Sequence, residues 1–329
     1  MNKLKSWNSY TTPNLGVVAA LMGASHYFTY DNYEVEIQLP YETSEDQCRA
    51  VSWRIIDTVE VATEYIVNEV QVSIVLKDQN IDLPKESLSS NNIDHSYFSE
   101  EQKSKLASLL QLHSEVSKGA FLYWLNMMRW TCNDSTIGKS QPFSNESGWS
   151  TYLVSGDISK RVYSSVPTRQ IILKSPVSVV QWYKVQQKVT NEMVFPMYVK
   201  FMFDAQESMR LNFAERAIVE LALACENYLR YSVFSLLPDS LRQDFVEYIE
   251  EANINQYLNR FFKNSFDGAY LKNVKFNDLK SDISSLLSKR NQYMHMGKMD
   301  GANKENFVRY LKTTNHLFTL RIEDVIQSN

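Results

Sequence analysis

From about residue 196 onward, apolar residues recur at helical spacing in one segment after another, and no other feature constrains the fold as much. Tyr198, Phe201, Met202, Ala205 and Met209 form one stripe. After Leu211-Asn212 a longer stripe carries Ile218, Leu221, Cys225, Tyr228 and Leu229, and Pro238 limits its end. A third runs through Leu241, Phe245, Ile249, Tyr257, Leu258 and Phe261, with a polar break at Asp267-Gly268. Asn277 or Asp278 can cap a fourth, which carries Leu279, Ile283, Leu286 and Leu287. Gly297 and Gly301 flank a turn, and the last stripe holds Phe307, Tyr310, Leu311, Thr314, Leu317 and Phe318. Amphipathic helices with short links bury their apolar faces against one another, so an all-α antiparallel bundle is expected over residues 196–329.

Residues 1–195 read differently, as a mixed α/β domain, which makes the chain α+β overall. Val35 to Leu39 and Val70 to Leu76 have the β-branched character of half-buried strands. Between them Ile55, Val59, Ala62 and Ile66 recur at helical spacing, so a helix is expected there. Lys77 to about Ser96 turns polar and reads as a loop. Ser99 to Gln102 forms a capping-box pattern, opening a helix through Leu106, Leu109, His113, Val116 and Ala120 into FLYWLNMMRW. A polar loop follows from Cys132, then strand-like segments at Trp149 to Val154 and Arg169 to Leu173.

Composition excludes several classes of function. With 44% hydrophobic and 22% charged residues the chain has the makings of a packed core. A net charge of −4 argues against coating nucleic acid through bulk charge, but leaves room for a small basic site. The three cysteines, Cys48, Cys132 and Cys225, are far apart and in no metal-ligand spacing, so neither a disulfide framework nor structural zinc is expected. No Gly-rich phosphate loop occurs. The N-terminal residues lack a signal-peptide apolar run and the apolar stretches are short, so a cytoplasmic protein with no membrane partner is expected.

The segment that carries chemistry is LLSKRNQYMHMG, Leu286 to Gly297. The apolar stripe of its helix continues from Leu286 or Leu287 to Arg290. A permanent charge at such a position is costly unless an anion meets it. Asn291 and His295, four residues apart, share a face beside it. Arg290 and His295 are five apart, about 140° around an ideal helix. Meeting on one phosphate therefore takes arginine's length, a distorted turn near Gly297, or a second copy of the helix.

Arg290-Asn291-x-x-x-His295 followed by glycine resembles the R-x(4–6)-H signature of the HEPN superfamily. The stretch from Pro196 to Arg230 is similar to the opening helices of its Apea-like branch, with Asp204-Ala205 and Ala224-Cys225-Glu226 at the matching positions. The resemblance covers about 130 C-terminal residues. It implies a metal-independent, cofactor-free endoribonuclease acting as a homodimer through the C-terminal domain, in a bacterial toxin or antiphage-defence setting. RNA would supply its own nucleophile in the 2′-hydroxyl. His295 would transfer the proton, Arg290 would bind the charged phosphate, Asn291 would donate to a phosphate oxygen or hold the imidazole, and Glu226 would orient Arg290 or His295. The N-terminal domain would sense a trigger, bind substrate, or bind a regulatory protein.

Plainer readings stand beside these. Arg290 can simply pair with Glu226 or Glu220, and Glu226 with Arg230 one turn on. His113 and His316 read as packed residues, and His26 and His95 receive no role. Tyr123, Trp124 and Trp130 read as core rather than a base-stacking platform. The alternative to an active nuclease is a catalytically inactive HEPN module for dimerisation or RNA binding. A small-molecule-responsive regulator ranks last.

Overall fold

The computed structural model describes residues 2–44, 46–81, 95–139, 150–155, 158–164, 175–235 and 276–319. The chain divides into two compact units, Met1–Val194 and Phe195–Asn329. The first is built on antiparallel sheet and the second, among the described residues, on helices, so the chain is α+β.

The N-terminal unit begins with β1 (Asn2–Val18), β2 (Ser25–Tyr30), β3 (Tyr33–Gln38), β4 (Cys48–Ile56) and β5 (Val59–Ile81). The strand β5 organises the sheet. It pairs with β1 along one edge and with β4 and then β3 along the other, and β2 closes on β3. Alternation orients it: Val70, Val72 and Ile74 are buried at 1% exposure or less, while between them Gln71 is half-buried and Ser73 is 8% exposed. They pack with Leu15, Val17, Val35 and Ile37 under α1 (Glu100–Cys132). The capping box at α1 is present, with Gln102 N donating to Ser99 Oγ at 3.2 Å and Ser99 N to Gln102 Oε1 at 2.9 Å. Asn133, left-handed at φ 50°, ends the helix. A two-stranded ribbon, β6 (Ser150–Ser155) with β7 (Ile158–Ser164), and α2 (Val179–Thr190) complete the unit.

Several expectations are corrected here. The helix expected across Ile55, Val59, Ala62 and Ile66 is a β4–β5 hairpin, with Ile56 paired to Val59. Asp57 and Thr58 form its two-residue turn, both at positive φ, 47° and 71°. Ile55 and Val59 are 71% and 61% exposed, so the helical spacing marked no buried face. The long-range ladder to β1 extends β5 through Ile81, five residues into the stretch expected as loop. The helix α2 went unread, although Ser178 and Gln181 form a second capping box. The strand-like segment at Arg169 to Leu173 lies outside the described residues.

The C-terminal unit contains α3 (Met197–Arg210), α4 (Ala214–Ser235), α5 (Phe276–Met296) and α6 (Lys304–Thr319). Four of the five expected stripes fall on these helices; the stripe from Leu241 to Phe261 lies outside the described residues. The helix α4 is the hub, packing against α3, α5 and α6. Ile218, Leu221, Cys225, Leu229, Ile283, Leu286, Tyr310 and Leu317 are all fully buried. Polar groups that enter this core find partners: Ser208 Oγ donates to Glu220 at 2.5 Å, and Ser285 bonds Tyr310 at 2.9 Å. Among the described residues no helix is long and apolar enough to cross a membrane.

Candidate active site on the α4–α5 seam

The buried stripe of α5 runs Leu279, Ile283, Leu286, Leu287, and its next member is Arg290, whose side chain is 30% exposed. The guanidinium therefore leaves the core at the edge of the α4–α5 contact, where Glu226 of α4 meets it. Arg290 Nη2 donates to Glu226 Oε2 at 2.9 Å, and Nη1 donates to Asn291 Oδ1 at 2.9 Å. The Glu226 side chain is only 14% exposed, and its other oxygen accepts from Arg230 Nη2 at 3.1 Å. One carboxylate thus holds two arginines, one from its own helix and one from α5. Both ion pairs named in the sequence reading, Arg290–Glu226 and Glu226–Arg230, occur together. Glu220, the other possible partner of Arg290, instead accepts from Ser208 and from Arg216 Nε at 2.8 Å.

This geometry leaves Arg290 oriented but not exhausted. A guanidinium has five N–H groups, and two of these are used by Glu226 and Asn291. The remaining three have no protein partner among the described residues, and can bind an anion side-on or end-on. With its oxygen turned to Arg290, Asn291 is left with its amide N–H groups for an acceptor.

His295 stands apart. It is exposed in the last turn of α5 and makes no hydrogen bond to any described residue. Within one chain, then, Arg290, Asn291 and Glu226 are brought together and His295 is not. Gly297 ends the helix at φ +67°, its N–H donating to Tyr293 O at 2.8 Å, so the terminus is an ordinary left-handed cap and not a distortion that swings His295 toward Arg290. The surface there is open: a Cβ at Gly297 would meet nothing within 4 Å, and Met294 and Met296 are 68% and 58% exposed. The following turn is tied back to α5 by Lys289 Nζ on Asp300 O at 2.6 Å and Gln292 Nε2 on Asp300 Oδ2 at 3.0 Å.

Arg230 is the site residue that sequence reasoning left as a surface ion pair. Its four-residue spacing from Glu226 was the available signal, and its packing against the same carboxylate as Arg290 gives it a place in the site. The other histidines sort by environment. His113 is buried on α1 as expected, and burial pulls its pKa down. His316, expected to be packed, is exposed on α6, because the apolar face there is carried by Tyr310, Thr313, Thr314 and Leu317. His26, given no role, is fully buried on β2. Its Nδ1 accepts from Trp124 Nε1 at 2.8 Å and its Nε2 bonds Trp182 O at 3.0 Å. Indole can only donate, so Nδ1 is unprotonated, and Nε2 carries the proton given to the carbonyl. Burial pushes its pKa down to about 4, partly opposed by the Trp182 carbonyl. Trp124 is fully buried beside it, as a core residue. Tyr123 and Trp130, expected in the core with it, are half-buried, with Lys188 Nζ 3.0 Å from the Trp130 ring centre. Among the described residues no three His, Cys, Asp or Glu side chains gather in a metal-binding group.

No protein-family model, no curated protein and no solved structure matches this chain.

Proposed function

We propose that the C-terminal unit is a metal-independent endoribonuclease of HEPN type, acting on RNA through 2′-hydroxyl attack as a homodimer. Arg290, Asn291 and His295 are its catalytic residues and Glu226 its support. The observation that carries this reading is Arg290 itself, fixed at the seam by Glu226 and Asn291 with three N–H groups still to satisfy. A positioned guanidinium of this kind suits a phosphate whose charge grows in the transition state. His295 makes no hydrogen bond to Arg290, Asn291 or Glu226 in its own chain, so the reading invokes a composite site in which a second copy brings its histidine to the phosphate. Exposed Met294 and Met296, on either side of His295, give that contact apolar surface. In this account the protein is a bacterial toxin or antiphage-defence effector, and the sheet-based unit receives a trigger or a regulatory protein.

A second reading, an inactive HEPN module for dimerisation or RNA binding, is favoured by one feature. Both hydrogen bonds of Arg290 go to protein groups, so the arginine also serves as a tie between α4 and α5.

The deciding experiment incubates the purified full chain with total RNA in EDTA, beside His295→Ala. The nuclease reading expects fragments with 2′,3′-cyclic phosphate and 5′-hydroxyl ends, and a loss on the order of 10²–10⁴-fold in His295→Ala. Mixing Arg290→Ala with His295→Ala chains should restore part of the activity if the site is composite. A magnesium requirement, equal cutting of DNA, or full activity in His295→Ala would sink this mechanism.

A further inference from the structure

A cavity of about 440 Å³ lies in the N-terminal unit, lined by Asn14, Gly16, Cys132, Asp134, Ile137, Ser175, Val177 and Gln181. This size falls within the range of pockets that hold small organic ligands. Its wall is built from backbone that only specific contacts can hold. The β1–β5 register shifts between Thr11 and Leu15, and Asn14 sits there at φ 62°, while Asn133 and Gly138 on the facing loop stand at 50° and 71°. Asn14 Nδ2 donates to Lys139 O at 2.8 Å and to Thr136 O at 3.4 Å. Gly138 N donates to Pro13 O at 2.6 Å, and Arg129 Nε to Ile137 O at 2.7 Å. The loop is thus pinned before any ligand arrives.

The polar groups in this wall have assigned orientations. Because the Asn14 amide nitrogen is spent on two carbonyls, its Oδ1 is the free end, an acceptor with no partner among the described residues. Gln181 Oε1 accepts from Ser178 N at 2.9 Å and Ser178 Oγ at 3.0 Å, so its Nε2 is left over as a donor. Ile137 and Val177 are buried and give the lining its aliphatic part. Asp134 adds a buried carboxylate, its Oδ1 accepting from Thr136 N at 2.9 Å and Thr136 Oγ1 at 2.7 Å, and among the described residues no lysine or arginine lines the cavity. Burial and Asp134 push the Cys132 thiol up to about 12, so it stays a neutral wall group near pH 7.

We propose that this cavity binds an uncharged heterocycle with a donor and an acceptor on one edge, the chemistry of a nucleobase or nucleoside, and rejects the phosphorylated form. Asn14 Oδ1 and Gln181 Nε2 supply the complementary acceptor and donor, as Asn and Gln do at base edges elsewhere. Ile137 and Val177 flank the ring, and the described lining offers no cation to hold a phosphate. No Gly-rich phosphate loop is needed, because no phosphate is held. The inference stands on the N-terminal unit alone and is independent of the nuclease reading.

Calorimetry with the full chain tests it, using adenosine, guanosine, cytidine and uridine and their 5′-monophosphates. At least one nucleoside should bind saturably at one site below about 1 mM, and its monophosphate about tenfold or more weakly. Gln181→Glu keeps the oxygen that caps α2 but replaces the free donor with an acceptor. Ser175→Trp fills the exposed mouth. Each should weaken binding by about tenfold or more with the melting temperature held near wild type. No binding by any of the four nucleosides, monophosphates binding as tightly, or undiminished binding in both variants would overturn the proposal. If either variant fails to fold, the nucleoside-to-monophosphate comparison on the wild type still decides.

Discussion

His26 and His295 are the same side chain in opposite situations. In the N-terminal unit His26 has no exposed surface, and each ring nitrogen has one partner, Trp124 Nε1 on one side and Trp182 O on the other. In the C-terminal unit His295 is exposed and without a described hydrogen bond, one turn beyond an arginine that is held on two sides. The first environment fixes a single tautomer and makes the imidazole part of the packing. The second leaves both nitrogens available, which is what proton transfer to an outside molecule requires. The difference teaches that histidine content says little until the surroundings are known: a buried, fully bonded histidine is structure, and an exposed one on the same helix as an oriented cation is a candidate for chemistry.

The largest effect expected within this comparison is on the structural side. Trp124→Ala removes a fully buried ring and the only described donor to His26 Nδ1, so it should destabilise the N-terminal unit by about 3–5 kcal/mol. Urea unfolding followed by tryptophan fluorescence measures it, and a loss below about 1 kcal/mol would show that the cluster is not a structural tie.

Next comes pH. The pKa of His26 is lowered from 6.5 to about 4 on folding, so the unfolded chain takes up the proton first as pH falls. The contribution is present in full above about pH 6.5 and is lost progressively as pH falls through about 4. The difference between the two values corresponds to about 3 kcal/mol. A second proton would also set Nδ1–H against the Trp124 N–H. Unfolding midpoints of wild type and His26→Gln from pH 7.5 to 4 should converge toward acid, and parallel curves would remove His26 as the cause.

The smallest effects belong to the other side. Glu226→Gln leaves two arginines without their carboxylate at a partly exposed seam, and a loss of about 1–2 kcal/mol is expected there. His295→Ala should change stability by no more than about 0.5 kcal/mol, as for an ordinary surface substitution. Thermal denaturation of both variants sharpens the contrast, since a larger shift for His295→Ala than for Glu226→Gln would make the exposed histidine a structural residue.

How much of this was legible beforehand depended on the reach of the interactions. Arg290 stood out because its place on the stripe of α5 follows from helix period alone. Its partner was narrowed to Glu226 or Glu220, and the choice fell to Glu226, 64 residues away, because Ser208 and Arg216 already occupy Glu220. Arg230 was visible as a four-residue spacing but not as a second cation on the same carboxylate. His26 carried no local signal at all, since its partners lie 98 and 156 residues further along the chain.

The sequence by itself determined the described C-terminal helices, the capping box at Ser99, and the position of Arg290 at the margin of an apolar face. These rest on contacts between residues three or four apart, which a linear reading contains. Only the tertiary structure decided that Ile55 to Ile66 turns back as a hairpin, that β5 runs on to Ile81, and that His26 lies between two tryptophans. A strand is completed by a partner distant in the chain, and the pairing of β5 with β1, β3 and β4 outweighs the local spacing that suggested a helix.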